Sequence, residues 1–113
     1  MKFMFIVKSA HKVPPTPALL EAMHKLATRE IEAGRMLDNG GLMPLNEGAQ
    51  VRIIGGELSV LDGPFAEAKE FLGGYLVLDC ELERALEIAG RWPKTGTGGI
   101  EVRAVMNSSG AEM

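Results

Sequence analysis

The 113-residue chain is poor in cysteine, in aromatic residues and in clustered positive charge. Cys80 is its only cysteine, so no disulfide can form within the chain, and a reducing cytoplasm is the expected location. Aromatic residues make up 5% of the chain, too few for a surface that stacks nucleic-acid bases. The net charge is −3, which argues against a surface that binds the phosphates of nucleic acid. We therefore expect no nucleic-acid partner.

Long apolar runs are also absent from the sequence. No segment approaches the roughly 20 apolar residues that a membrane-spanning helix needs, so we expect no membrane partner. The apolar start, from Met1 to Val7, is too short for the core of a signal peptide. With 46% apolar and 24% charged residues, the composition is typical of a globular protein. We expect one soluble domain over residues 1–106 and a disordered polar tail over residues 107–113.

Helix signals occur twice along the chain. Thr16 is the expected cap of the first helix, Pro17 its first residue and Gly34 its end. The segment ELERALEIAGRW forms the second helix, which Pro93 ends. The residues expected on the two apolar faces are Leu19, Leu20, Met23, Ala27 and Ile31 in the first helix, and Leu82, Ala85, Leu86, Ala89 and Trp92 in the second.

Strand patterns fill most of the remaining chain. The pair Gly55-Gly56 separates two of these segments and predicts a tight hairpin. Gly40 and Gly41 interrupt another segment, which indicates a bulge or a close approach of two backbones. The predicted strands lie within residues 2–8, 35–45, 50–54, 57–61, 74–80 and 100–106.

The order of these elements predicts an α+β, ferredoxin-like fold, an antiparallel sheet with two helices on one face. Two strand segments, Phe3 to Val7 and Tyr75 to Leu78, are apolar on both faces. Two helices on one side of the sheet would leave the second apolar face in water. We therefore expect a homodimer in which the sheets of two chains pack face to face as a dimeric α/β barrel.

The segment LDGPFAEAKEFLGGYLVLD, residues 61–79, resembles the signature of the YCII-related domain family, in its DGPF branch. The resemblance extends over residues 1 to about 106 and includes the segments GGLMP, RWP and IEVRAVM. It implies a dimeric α/β barrel with a cleft and no established general reaction. Short proteins of the family are suspected of using a His/Asp pair in that cleft, and the matching positions here are His24 and Asp62.

Both residues also have an ordinary structural interpretation. Asp62 precedes Gly63-Pro64 and is equally suited to accept backbone N–H groups in a turn or to act as a general base in an apolar cleft beside Phe65. His24 lies at the edge of the apolar face of the first helix, where histidine is more often a packed boundary residue than a catalyst.

Three further side chains are candidates for substrate binding. Arg35 could bind an anionic substrate or pair with Asp38. Lys69 could steady developing negative charge or belong to a solvated helix face, and Phe65 is the apolar anchor of the turn. Histidine and cysteine spacings typical of metal sites and phosphate loops flanked by a strand and a helix are absent from the sequence, so neither a metal nor a cofactor is expected.

Two functions follow from these residues. The first is a cofactor-free lyase or isomerase that moves a proton on a small organic substrate, with Asp62 or His24 as base and Arg35 or Lys69 stabilising negative charge. The second is a non-catalytic module that binds a small ligand or acts in regulation.

Overall fold

The structure is a computed structural model that describes residues 1–9, 16–43, 48–62, 71–93, 99–107 and 109–110. Two helices and six strands follow one another in these ranges. They are β1 (Lys2–Ser9), α1 (Pro17–Glu32), β2 (Met36–Gly41), β3 (Ala49–Ile54), β4 (Glu57–Asp62), β5 (Phe71–Asp79), α2 (Leu82–Arg91) and β6 (Gly99–Ala104).

The main sheet has four strands in the order β2-β5-β1-β6, and each neighbouring pair is antiparallel. The chain runs from β1 through α1 to β2, and from β5 through α2 to β6, so each crossover passes over one strand. This is the split β-α-β arrangement, and the predicted α+β, ferredoxin-like fold is confirmed. Strands β3 and β4 form a separate two-stranded sheet between β2 and β5 in the chain.

Local signals place the helix ends and the hairpin turn where the sequence predicts them. The Oγ1 atom of Thr16 accepts a hydrogen bond from the backbone N–H of Leu19 at 3.2 Å. Gly34 has φ +77° just after α1, a backbone angle that residues with a Cβ rarely adopt. Gly55 and Gly56, with φ +59° and +84°, form the turn between β3 and β4.

The core lies between the two helices and one face of the main sheet. On the central strands, Phe3 is directly opposite Leu78, and Phe5 is opposite Leu76. Phe5 and Leu78 are completely buried, so these two cross-strand pairs form the centre of the core. The buried apolar residues are Phe3, Phe5, Ala27, Met36, Leu76, Leu78, Ala85, Ile88, Ala89 and Trp92.

The predicted apolar faces of the helices are partly wrong. In α2, Leu82 and Leu86 are 51% and 54% exposed, whereas Ile88 is buried. In α1, Leu20 and Ile31 are 53% and 50% exposed. Each helix carries apolar residues over a wider arc than the sheet can cover, so residues at the edge of that arc stay in water.

A buried carboxylate ties the helices together. Glu30 on α1 has no exposed side-chain surface, and its Oε1 accepts a hydrogen bond from Nη2 of Arg84 on α2 at 3.2 Å. Its Oε2 accepts a hydrogen bond from Nε of Arg35, just before β2, at 2.5 Å. Burial raises the pKa of Glu30, but the hydrogen bonds and charges of Arg35 and Arg84 outweigh it and hold the pKa below its ordinary value of 4.5.

Glu30→Gln should destabilise the fold by about 3 kcal/mol at pH 7, because the guanidinium groups of Arg29, Arg35 and Arg84 lose their charged partner. A lowered pKa in the folded state stabilises the protein above the unfolded value of 4.5. That stability is lost as the pH falls through the lower folded pKa. Urea unfolding from pH 7 to pH 3 should show wild type and variant converging at acidic pH. A constant difference across this range would contradict the assignment.

Ile88→Ala should cost about 2–4 kcal/mol, since it opens a cavity in the core. Leu86→Ala, two residues earlier on the exposed edge of α2, should cost less than about 1 kcal/mol and serves as the matched control. Chemical denaturation of both variants measures the two values. Equal losses would mean that Leu86 is buried in solution, for instance by another chain.

Candidate functional site

The face of the main sheet opposite the helices has an apolar centre, which we call the open face. Its central residues are Met4 and Ile6 on β1 and Tyr75 and Val77 on β5. Met4 is directly opposite Val77, and Ile6 is opposite Tyr75. Met4 is 37% exposed and the other three are half-buried, so the predicted two-sided apolar character of the central strands is confirmed.

Tyr75 lies across the neighbouring strand at Gly40, its cross-strand partner. A Cβ added at Gly40 would come within 2.8 Å of the Cε1 atom of Tyr75 and 3.0 Å of its hydroxyl oxygen. A Cβ at Gly74 would approach the backbone oxygen of Gly40 to 2.7 Å. The predicted close approach of two backbones therefore occurs between Gly40 and Gly74. The irregularity in the pairing of β2 with β5 falls instead at Leu37, between Met36 and Asp38.

Charged groups lie along one side of the open face. Nζ of Lys8 is 3.2 Å from Oε1 of Glu101 on β6, and Nε of Arg103 is 3.9 Å from Oε2 of the same carboxylate. An apolar floor with a phenol hydroxyl at one side and ion-paired groups at the other has the composition of a site for a small organic molecule with a polar substituent.

Asp62 is the last residue of β4, and its backbone pairs with Ala49 on β3. Its side chain lies outside the described part of the structure. The register places position 62 on the same face of the hairpin as Val60 and Val51. Its predicted role as a general base stays a prediction, as do the roles of Phe65 and Lys69, which lie outside the described residues.

His24 lies on α1 with an exposed side chain. It occupies the outer side of the helix together with the half-exposed Leu20 and Ile31, about 120° around the helix from the buried Glu30. Its imidazole is therefore open to solvent in a single chain. Cooperation between His24 and Asp62 stays a prediction.

Arg35 binds Glu30, so the predicted alternative of a pair with Asp38 is wrong. The carboxylate of Asp38 instead accepts a hydrogen bond from the backbone N–H of Asn39 at 2.9 Å. The hydrogen bond to Glu30 raises the pKa of Arg35, and 31% of the side chain remains exposed. Binding of an anionic substrate by Arg35 stays a prediction.

Tyr75 and Glu30 are the residues that sequence reasoning missed. The signal for Tyr75 is its position directly after Gly73-Gly74, because two glycines leave room for a large ring beside the backbone. The signal for Glu30 was an acid at a helical spacing of three from Ala27, on the side of α1 that faces the core.

The remaining chemistry-bearing groups add little to the site. Cys80 is a half-buried free thiol, and burial raises its pKa although the charge of Arg35 opposes this shift. Within the ranges that the structure describes, no three acidic, histidine or cysteine side chains converge as metal ligands would. Neither described helix has the length and apolar character needed to cross a bilayer.

Comparison with known proteins agrees with this fold. A protein of Rhizobium meliloti (strain 1021), itself uncharacterized, is 34% identical to this chain over 100 residues, which are 86% of this chain and 81% of the relative. The sequence model of the YCII-related domain matches residues 1–109. Membership of the DGPF branch within that family stays a prediction. The match covers nearly the whole chain, and the chain therefore belongs to the YCII-related domain family.

Proposed function

We propose that this chain is a cofactor-free lyase or isomerase that moves a proton on a small organic substrate, with Asp62 as the general base. The observation that carries the proposal is the register of the hairpin. It places position 62 at the base of the face that carries Val51 and Val60, where β4 ends. A carboxylate at the edge of an apolar surface is the arrangement that tunes a base toward neutral pH.

The physical reason is desolvation. An aspartate in water has a pKa near 3.9 and is a weak base, because its proton affinity is low. Covering the apolar face around it with a ligand or a second chain removes water and raises that pKa. Basicity then rises where the substrate is bound, and the proton is taken from carbon by the carboxylate.

Four other residues have supporting roles in this proposal. His24 returns the proton, and its exposed position leaves the imidazole accessible to a substrate or to a second chain. Arg35 and Lys69 stabilise the negative charge that develops on the substrate, and Phe65 contacts its apolar part. The proposal requires neither a metal nor an organic cofactor.

The working unit in this proposal is a homodimer joined through the open face. The support is the composition of that face, since Met4, Ile6, Tyr75 and Val77 lie side by side on the two central strands. Within the described residues the helices pack on the opposite face, and Met4 on this face is 37% exposed. Burying apolar surface of this kind is the main driving force of protein association.

Ligand binding without chemistry is the second candidate function. The observation that favours it is the exposure of His24, because a catalytic histidine is usually oriented by a hydrogen bond from its second nitrogen. In that case the open face and the hairpin hold a small molecule, and Asp62 shapes the turn.

Deuterium exchange into small carbon acids distinguishes the two candidates. Wild-type protein in D2O should accelerate C–H exchange of at least one member of a panel of 1,3-dicarbonyl compounds and 2-oxo acids, followed by NMR. Asp62→Asn should lower that rate by about 100-fold or more, because the amide keeps the shape but is not a base. The control is Glu32→Gln, an exposed carboxylate at the end of α1 whose change should leave the rate unaltered.

His24 is tested in the same assay. If it works with Asp62, the double variant Asp62→Asn/His24→Gln should be no slower than the slower single variant. Binding of panel members without any exchange by wild-type protein would contradict the enzyme proposal and favour the binding module.

Sedimentation equilibrium tests the dimer. The wild-type chain should be dimeric at micromolar concentration, and Met4→Glu should weaken the dimer at least about tenfold by placing a charge on the open face. Leu20→Glu, on the outer side of α1, makes the same kind of change at another exposed apolar position and should have little effect. A wild-type chain that stays monomeric would rule out the dimer.

A further inference from the structure

The hairpin formed by β3 and β4 has one apolar face that is left in water. The register places Val51 opposite Val60 and Ile53 opposite Leu58, so these four side chains share one face, which we call the arm face. Their exposed fractions are 61%, 62%, 76% and 71%. On the other face of the same hairpin, Gln50 and Ser59 are half-buried, whereas Arg52, Ile54 and Glu57 are exposed.

The exposure of the arm face departs from the usual arrangement of such strands. A strand pair with apolar residues at every second position normally buries the apolar face and leaves the polar face in water. An isolated two-stranded hairpin is at best marginally stable in water, so its apolar face needs a covering surface. Within the described residues, neither the helices nor the main sheet supplies one.

The dimensions of the chain agree with a projecting hairpin. The radius of gyration is 16.0 Å. A compact domain of this length is expected near 13 Å. The principal extents are 46 × 40 × 20 Å, and the shortest is about the thickness of one sheet with one layer of helices. These values agree with a hairpin that makes few contacts with the helices and the main sheet.

The area that a stable dimer buries indicates that the arm face is covered by a second copy of this chain. Taken over the six residues that β2 and β6 contain, the four-stranded open face measures roughly 400 Å² per chain, so two such faces bury about 800 Å², the level of weak contacts. The arm face of each hairpin adds about 200 Å², with an equal area on the surface that it covers. Two arms raise the total to about 1,600 Å², the size of a stable specific interface.

We infer that the arm face docks on the open-face side of a second copy of this chain, so that two hairpins embrace the partner by twofold symmetry. This inference rests on the dimer proposed above. It assigns the apolar residues Val51, Ile53, Leu58 and Val60 to the interface, and it brings the hairpin base with Asp62 to the boundary between two chains. A twofold axis applies the same contact twice, so each apolar surface of one chain is covered by the other.

Two adjacent isoleucines provide the test. Ile53 lies on the arm face, whereas Ile54 pairs with Glu57 on the opposite face, and the two are 76% and 61% exposed. Sedimentation equilibrium of Ile53→Asp should show a dimer dissociation constant at least about tenfold higher than that of wild type. The matched control Ile54→Asp should stay within about threefold. Circular dichroism of both variants checks that the fold is intact, which their exposure in the single chain predicts.

A photo-crosslinking side chain at the same two positions gives a second, positive readout. At position 53 it should link two differently tagged copies, and at position 54 it should not. A wild-type dimer with unchanged affinity in both variants would overturn the arm contact and leave the dimer standing. A crosslink within one chain, or equal weakening by both variants, would also overturn it. A monomeric wild-type chain would overturn the arm contact and the dimer together.

Discussion

The structure depends on the antiparallel pairing of β1 with β5 at the centre of the main sheet. This pairing places Phe3 and Phe5 against Leu78 and Leu76 on one face, and it places Met4 and Ile6 against Val77 and Tyr75 on the other. Two helices cover the first face, because an α+β fold of this length has only one helical layer. The second face is as apolar at its centre as a buried surface, but neither described helix packs on it. This mismatch is the physical basis of the proposed assembly.

Features fixed by neighbouring residues could be predicted from the sequence, and features fixed by distant contacts could not. Thr16, Gly34 and the turn at Gly55-Gly56 act through their own backbone angles and hydrogen bonds, so they lie where the pattern places them. The burial of Ile88 in place of Leu86 depends on how α2 is rotated against the sheet, which periodicity does not specify. The burial of the Glu30 carboxylate depends on its hydrogen bond with Arg84, which lies 54 residues away in the chain.

The candidate site follows the same division. Sequence reasoning named the residue types that can move a proton or bind an anion, and the family resemblance identified His24 and Asp62 as their positions. Distances between those groups come from tertiary structure, and the register of β3 with β4 supplies only the face on which position 62 lies. Arg35 illustrates the difference, since the arginine that the sequence offers as an anion ligand also holds a buried carboxylate, a contact that only the fold reveals. A charged residue beside a site and a charged residue inside a structural network have the same sequence signature.

The hairpin connects the proposed dimer with the proposed chemistry, because position 62 lies on the same face of the hairpin as the arm-face residues. In the proposed function, the carboxylate of Asp62 acts at the base of this face. With the face covered, the same carboxylate loses water and becomes a stronger base. Assembly and chemistry are then consequences of one burial event. In the proposed dimer, the apolar residues of β3 and β4 would provide the low-dielectric surroundings that a carboxylate base requires.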